Sequence, residues 1–410
     1  MFFPGLFRKS ADPMTSRELS ELIGLSYDTY TGRRVNPSLA MQLTAVFSCV
    51  RVLAESVGML PCSLYKQLDR GNQRATHERL HKLLSVKPNH YMTPQEFWEL
   101  LIACLCLRGN FYAYKVKVLG DVVELLPLDP GSVVPKLNND WLPEYQVTFP
   151  NGESRTLTQD ELWHVRIFTL DGLTGLSPIA YARQAIGLGL ATEEHGSRLF
   201  GNGAVASGVL QTDQVLKDEA YHRLKTDFEA RHQGLDNAHK PMILEMGLKW
   251  HQISLSAEDA QFLETRKFQL EEICRIFRVP LHMVQNTDRA TFNNIENLGI
   301  GFINYSLVPY LTRIEQRINA GLVKSSQQGT FYAKFNTGAL LRGDMKSRFE
   351  AYATGINWGI YSPNECRELE ELNPREDGDI YLTPMNMTTQ PEPPPKKEEE
   401  THADDDKTTA

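Results

Sequence analysis

Apolar residues at helical spacing predict two long helices with a polar loop between them, from residue 256 to residue 322. The first helix starts at Ser256, a candidate N-cap with Asp259 three residues on. It stops at Val279, since the residue before Pro280 disfavours helical backbone. A length of roughly 20 residues corresponds to about 30 Å. The side chains predicted to face inward are Leu263, Leu270, Ile273 and Phe277.

The loop that follows is polar and has too little apolar surface to anchor itself in a core. It spans residues 285–294 (QNTDRATFNN) and carries Asp288 and Arg289 at its middle. This pair is open to three interpretations: an ion pair within the loop, a pair facing DNA, or solubilising charge, which the sequence alone favours. The second helix is expected to bend at Pro309 and to end at Gly321. Its inward residues are Leu307, Leu311, Ile314 and Ile318.

The N-terminal half predicts an α+β arrangement in which helices cover one face of an antiparallel sheet. One helix begins at Pro37 and ends before Pro61. The next is marked by a capping box of Thr93 and Glu96 and is terminated by Gly109. Alternation of apolar and polar residues, bounded by turn residues, predicts strands at 111–118, 122–128, 145–149 and 162–168.

A further helix begins after Ser177 and runs to Phe200, with small residues near helical spacing in its interior. A glycine inside a helix costs about 1 kcal/mol relative to alanine, so these residues suggest that another backbone comes close. Tight packing within the same chain explains the feature equally well, and both interpretations stay open at this point. The small residues are Ala182, Ala185, Gly189 and Gly196.

A small αβ segment, residues 203–254, lies between the long helices. It contains a short strand at GVL, a helix over about 216–232 and a hairpin that turns at Gly247.

The remainder of the chain predicts a strand at 331–335, a helix over 345–357 and a last helix capped by Ser362. Beyond residue 385 the chain is proline-rich and charged, cannot bury apolar surface and is predicted to be disordered.

The length, composition and charge of the chain limit the classes of protein to which it can belong. The 410 residues, 41% of them hydrophobic, suffice for two or three packed layers or domains. The formal charge is −8, and about half of it comes from the tail after Pro391, so the body is nearly balanced. This argues against a broad basic face that grips nucleic acid, but not against a protein that surrounds DNA without holding it.

Neither a membrane span nor a secretory signal is expected, because no window has enough apolar residues and Pro4 and Gly5 interrupt the apolar start. Six scattered cysteines fit reduced thiols in a core better than a disulfide framework.

One short stretch matches a catalytic signature. His77, Glu78 and His81 fit H-E-x-x-H, which places two imidazoles one helical turn apart with a glutamate to activate zinc-bound water. The extended form of the signature fails, since Leu84 and Lys87 stand where glycine and a third histidine belong. A solvated helix is therefore the favoured interpretation and a zinc hydrolase the alternative.

Other catalytic or phosphate-binding patterns are absent from the sequence. The glycines at 201, 203 and 208 are not followed by Gly-Lys-Ser/Thr, and the chain contains no G-x-S-x-G. We therefore expect no enzyme activity and no cofactor.

Nine segments between about Leu39 and Asn373 resemble the portal proteins of tailed bacteriophages, of the type about 400 residues long. None is diagnostic alone, but their order and spacing are highly specific. They are TAVFSCVRVLAESVGMLP (44–61), PNHYMTPQEF (88–97), LRGNFYAY (107–114), LLPL-x-P (125–130), GLTGLSPI (172–179), LFGNGAVASGVL (199–210), DAQFLETRKFQLEEICRIFRVPLHMV (259–284), NLGIGFINYSLVPYLTRIEQRI (297–318) and LLRGD (340–344).

The resemblance implies a portal-type α+β fold with a β-rich wing, two stem helices flanking a small αβ clip, a kinked helix after a tunnel loop, and a short helical crown. The implied divisions are an N-terminal segment (1–36), the wing (37–176), a stem helix (177–202), the clip (203–255), a second stem helix (256–280), the tunnel loop (281–296), the kinked helix and wing return (297–343), the crown (344–384) and the acidic tail (385–410).

Functional residues follow from the same resemblance. The small residues of the first stem helix would let many copies crowd around an axis. The tunnel-loop residues expected to face DNA are Gln285, Asn286, Thr287, Asp288, Arg289, Thr291, Asn293 and Asn294. The clip residues expected to face terminase and adaptor are Arg223, Lys225, Arg231, Lys240 and Lys249.

The implied function is a ring, usually of twelve subunits, at one capsid vertex of a virion assembled in the host cytoplasm. It is the channel for DNA packaging and ejection. The implied partners are double-stranded DNA without sequence specificity, the terminase large subunit, the head–tail adaptor, and the major capsid and scaffold proteins. A zinc hydrolase and a monomeric interaction module are the alternatives.

Overall fold

The computed structural model describes residues 27–69, 71–149, 151–201, 208–211, 218–219, 221–223, 226, 249–252, 257–284, 298–340, 345–370 and 372–382. The chain divides into two units with a boundary after Leu341, and each unit is treated by itself.

The larger unit begins with a two-stranded hairpin, β1 (Tyr27–Asp28) and β2 (Arg34–Val35), followed by helices α1 (Pro37–Ala40) and α2 (Thr44–Gly58). The sequence predicted one helix here, but the chain makes a tight turn between the two, in which Gln42 N–H donates to the Leu39 carbonyl. Apolar residues at helical spacing are buried along one side of this segment: Leu43, Val46, Val50, Leu53 and Val57.

Helix α4 confirms its predicted boundaries. It follows β3 (Cys62–Gln67), β4 (Asn72–Arg74) and α3 (Arg79–Ser85), and spans Pro94–Arg108. Thr93 and Glu96 form the reciprocal capping box. Gly109 ends the helix with φ 76°, and a Cβ there would lie 2.4 Å from the Leu176 carbonyl oxygen, so this position requires glycine.

The strands that follow are antiparallel as predicted, but they form two sheets instead of one. Strand β5 lies between β10 and β6, and β8 lies between β7 and β9. Side chains of both sheets share a small separate core, which a single sheet could not bury. The strands are β5 (Asn110–Val118), β6 (Asp121–Leu128), β7 (Val133–Leu137), β8 (Pro143–Thr148), β9 (Ser154–Thr158) and β10 (Leu162–Arg166).

The first long helix is interrupted. Helix α5 (Pro178–Tyr181), capped by Ser177, ends at Ala182, and α6 continues from Arg183 to Gly201. The small segment contains β11 (Gly208–Gln211), which confirms the strand at GVL and pairs antiparallel with β12 (Lys249–Gln252). Helix α7 then spans Ala257–Phe277, close to its predicted bounds.

The second helix of the hairpin is irregular in a way that the sequence only partly predicts. Residues 298–302 are helical, Ile303–Leu307 form a π-helical turn, and α8 spans Val308–Gly321. Pro309 was expected to bend the helix because its ring crowds the preceding turn and it has no N–H. The structure accommodates the proline at the start of α8, directly after the wider π turn.

The last strand, β13 (Phe331–Phe335), confirms the FYAKF prediction and pairs with β3, so a late segment closes an early sheet. One large core joins the helices of this unit to the sheets that contain β3 and β5, and aromatic rings of Phe97, Trp98, Phe111 and Trp163 contact one another within it. Short 3-10 turns lie at Pro130–Ser132, Leu281–Met283, Ser325–Gln327 and Thr337–Ala339.

The smaller unit contains α9 (Met345–Asn357) and α10 (Pro363–Leu369), as predicted. Ser362 and Glu365 form the expected capping box at the start of α10. Within the described residues of the whole chain, no helix is long and apolar enough to cross a membrane.

Candidate functional site: the paired helices and the base of the loop

Helices α6 and α7 contact each other through polar side chains. Gln269 Nε2 donates to Thr192 Oγ1 at 3.5 Å, and Arg266 lies 3.7 Å from the Glu193 carboxylate. The C-terminal end of α7 packs instead on α2 in the core, where its buried residues are Ile273, Cys274 and Phe277. Helix α7 is thus held by apolar packing at one end and by exposed polar contacts further along.

The predicted small residues of α6 pack against their own chain. Ala182 is buried, Ala185 is half-buried and Gly196 is buried. A Cβ on Gly189 would lie 3.0 Å from Leu43 Cδ2. Gly187, which the sequence did not single out, is tighter, because a Cβ there would lie 2.8 Å from Thr29 Cγ2. These neighbours are side chains of the same chain, and contact with a second copy stays a prediction.

All eight residues predicted to form the DNA-facing loop lie outside the described residues, but both flanks of the loop are described. Helix α7 ends at Phe277, and the next residue, Arg278, has a left-handed backbone with φ 57°. Val279 N–H donates to the Cys274 carbonyl at 2.9 Å. This bond is typical of a C-terminal turn that usually has glycine where this chain has Arg278.

The two flanks are joined by a hydrogen bond. Ser306 Oγ, in the π-helical turn, donates to the Arg278 carbonyl at 2.5 Å. Ser306 is buried, and so is Val279 beside it. The chain therefore leaves for the loop and returns from it at one fixed place.

A cavity of about 410 Å³ lies at this base of the loop, and its charged lining is basic. Arg275 and Arg278 line it together with His282, Phe302 and the exposed Tyr305. Burial lowers the pKa of His282, which favours its neutral form. The positive charge thus comes from the two arginines, neither of which forms an ion pair with a described carboxylate.

Sequence reasoning placed the positive charge of this region only at Arg289. It singled out neither arginine at the base, because nothing in the local spacing separates an arginine that lines a cavity from one in open solvent.

The predicted clip residues are only partly described. Arg223 and Lys249 are exposed, and Lys249 is the first residue of β12. Lys225, Arg231 and Lys240 lie outside the described residues. Their role stays a prediction.

The zinc alternative fails on geometry. Helix α3 begins at Arg79 with Glu78 as its N-cap, so His77 lies before the helix and not one turn from His81. His81 Nδ1 accepts the Leu64 N–H at 3.3 Å. The described residues contain no group of three potential metal ligands.

A buried polar network joins the two small sheets, and the sequence did not predict it. Gly175 N–H donates to Asn110 Oδ1 at 2.8 Å, and His164 Nε2 lies 3.0 Å from the same oxygen. Because that oxygen only accepts, Nε2 carries the proton and Nδ1 accepts from Tyr145 Oη, 3.3 Å away. Burial lowers the pKa of His164 well below its ordinary value, so the imidazole is neutral.

Comparison with known proteins gives the class of this fold and site. Residues 44–371 match the family model described as phage portal protein. The chain is 32% identical over 372 residues to the portal protein of Enterobacteria phage HK97, covering 88% of this chain and 87% of that protein. It is 68% identical over 136 residues to Protein BeeE of Escherichia coli strain K12, covering 33% of this chain and 87% of that protein.

A solved structure contains a chain with a similar fold. The neck of a native gene transfer agent particle, computed with C12 symmetry, contains a chain 27% identical that superposes with a TM-score of 0.58, covering 82% of this chain and 93% of that one.

The protein thus belongs to the class of structural proteins at the head–tail connector of a capsid vertex. More particularly, the chain is a member of the phage portal protein family, and ring assembly around a DNA channel is the role that fits this family.

Proposed function

We propose that twelve copies of this chain form a ring in which α6 and α7 are the stem, the segment around β11 and β12 is the clip, and the loop between α7 and the π turn faces double-stranded DNA. The ring is assembled in the host cytoplasm with scaffold and major capsid proteins. The terminase large subunit docks on the clip during packaging, and the head–tail adaptor docks there afterwards.

The observation that carries this proposal is the fixed base of the loop. The Ser306–Arg278 hydrogen bond brings both flanks together next to a buried helix end. The two described flanks of the loop are thus held together at one place, which a channel constriction requires. The C12 symmetry of the gene transfer agent neck supports the number of copies.

The charge balance of the chain supports passage of DNA without recognition of its sequence. The chain has no large excess of Lys and Arg, and many phosphate contacts would hold a polyanion in place. We also propose that the ring itself performs no chemistry, and that terminase supplies the energy for DNA movement.

The first test is the native mass of the purified protein, by light scattering or native mass spectrometry, with negative-stain images of the same sample. We expect a closed ring with a mass near twelve times 46.5 kDa and a central hole. A protein that stays monomeric both alone and with its scaffold and capsid partners would contradict the ring and favour an interaction module.

The loop is tested by deleting residues Thr287 to Thr291. We expect intact rings but heads that package or retain less DNA, since the deletion leaves the fixed base untouched. Normal DNA-filled heads from this variant would overturn the assignment of the loop.

A further inference from the structure

A second basic cavity lies away from the loop, between the end of β10 and the exposed side of α8. Its volume is about 400 Å³. Three arginines line it: Arg166 at the end of β10, and Arg313 and Arg317 one helical turn apart on α8. Gln316 and Thr169 add neutral hydrogen-bonding groups. We call it the arginine cleft.

The positive charges in the arginine cleft have no ion-pair partner among the described residues. None of its lining residues is acidic, and none of the three arginines forms an ion pair with a carboxylate among the described residues. Burial and then the neighbouring Arg317 lower the pKa of Arg166, as expected where guanidinium groups of like charge lie close together.

Asp171 is the acid that attracts Arg166, but it does not line the cleft. Its carboxylate accepts the N–H groups of Leu173 and Thr174, each at 2.8 Å. Arg166 itself donates to the Leu173 carbonyl at 3.1 Å, which fixes its orientation and leaves further N–H donors for a ligand.

A neighbouring cavity of about 580 Å³ shows that this imbalance is not general for the surface. It too contains several cations, but there Lys117 pairs with Asp160, and Arg79 and Lys324 both pair with Asp121. Three cations of that cavity thus pair with carboxylates, whereas the arginines of the arginine cleft form no ion pair among the described residues.

We infer that the arginine cleft binds an oxyanion of the phosphate class. A guanidinium presents a planar fork of N–H donors that matches phosphate oxygens in a bidentate way, and two forks one helical turn apart with a third opposite can surround one phosphate group. The anion removes the repulsion between the arginines. The source of the phosphate is either free phosphate or a phosphodiester of DNA.

The site does not require the ring, so its failure would leave the proposed function untouched. The test uses the full chain in a chloride buffer and titrates inorganic phosphate by calorimetry. In parallel, a short fluorescein-labelled DNA duplex is followed by anisotropy. We expect saturable phosphate binding that weakens about tenfold or more in the double variant Arg313→Gln, Arg317→Gln.

Two further variants distinguish binding in the arginine cleft from general electrostatic attraction to the protein surface. Arg313→Lys with Arg317→Lys keeps the charge but removes the planar guanidinium donors. This variant should weaken phosphate binding about threefold or more. Lys87→Gln with Lys136→Gln removes the same charge from exposed positions outside the cleft and should change binding less than about twofold. Thermal melts of all variants establish that they fold.

These measurements show whether the arginine cleft binds phosphate and whether the phosphate is free or part of DNA. DNA binding that weakens with phosphate binding in the cleft variants identifies a phosphodiester, and DNA binding that does not weaken identifies free phosphate. Wild-type protein that shows no saturable phosphate binding would overturn the inference. So would equal weakening in the cleft and control variants. A peptide of residues 396–407 (KKEEETHADDDK) that binds the arginines while phosphate does not would overturn it in favour of an acidic segment.

Discussion

Two regions of the larger unit are built differently: the packed helices and sheets around Trp98 and Trp163, which we call the body, and the paired helices α6 and α7. In the body, Trp98 and Trp163 are almost fully buried, and even His164 and Lys115 are enclosed with hydrogen-bonding partners. Along the outer side of α7, by contrast, Phe268 is 55% exposed and its neighbours are charged. Among the described side chains of this helix, those that are buried in the core lie at its C-terminal end. Stability therefore resides in the body and the end of α7, whereas the described side chains from residue 264 to residue 268 are exposed.

The largest effect is expected where α7 enters the core. Phe277 is 1% exposed, so Phe277→Ala should lower the free energy of unfolding by about 3 to 5 kcal/mol through lost burial and a cavity. Phe268→Ala, the same change on the exposed part of the same helix, should change it by less than about 0.5 kcal/mol. Urea denaturation followed by circular dichroism measures both. Equal losses would show that the exposed part of α7 is already covered, for example by a second copy.

The body should also respond to acid through its buried histidine. Because the folded pKa of His164 lies well below its ordinary value, the unfolded chain binds the proton first as pH falls below about 6.5. The neutral form is fully favoured above that pH, and stability is lost below it. This single group should lower the free energy of unfolding by up to about 2 kcal/mol between pH 7 and pH 5.

The measurement is the pH dependence of unfolding in wild type and His164→Gln. The variant should have a shallower slope over this range, with the remainder due in part to His81 and His282, whose pKa values are also lowered by burial. The difference between the two slopes is the contribution of His164. An unchanged slope in His164→Gln would show that the network opens before the histidine titrates.

Local elements were predictable from the sequence where one residue type has one physical effect. The capping boxes at Thr93 and Ser362 satisfy free amides of a first helical turn, and both are present. Gly109 follows the same logic, since its left-handed backbone and close neighbour leave no room for a side chain.

Features that depend on distant contacts were not predictable. The split of the strands into two sheets depends on a shared core between Tyr112 and Tyr145, and a period of two does not specify which sheet a strand joins. The arginine cleft joins Arg166 to Arg317, about 150 positions further along the chain. The alignment of Ser306 with Arg278 likewise needs the π turn, which has no sequence signal as strong as a cap.

A smaller effect is expected at the base of the loop. Ser306→Ala removes the donor to the Arg278 carbonyl and leaves that acceptor unpaired, so a loss of about 1 to 2 kcal/mol in the free energy of unfolding is expected. Ser325→Ala, at an exposed position, is the matched change and should be nearly neutral. Hydrogen exchange should also quicken at residues 298–302 in Ser306→Ala alone. Unaltered exchange there would show that the flanks are joined by packing and not by this bond.

The smallest effect concerns Arg278, and its sign is the informative part. A left-handed backbone costs a side-chain-bearing residue about 1 to 2 kcal/mol, which glycine avoids at an entropic cost of about 0.5 to 1 kcal/mol. Arg278→Gly should therefore stabilise the fold by about 0.5 kcal/mol. Arg275→Gly, three residues earlier and inside α7, should destabilise it by about 0.5 to 1 kcal/mol. Paired urea denaturation curves of the two variants measure the difference.

Opposite signs in these two variants would mean that the chain keeps an arginine where glycine is the more stable choice. The guanidinium must then contribute something other than stability, and its position in a basic cavity at the base of the loop makes contact with passing DNA the expected contribution. A packaging assay on Arg278→Gly completes the argument. A more stable ring that packages DNA less well supports such a contact, and one that packages normally shows that the arginine is a tolerated strain.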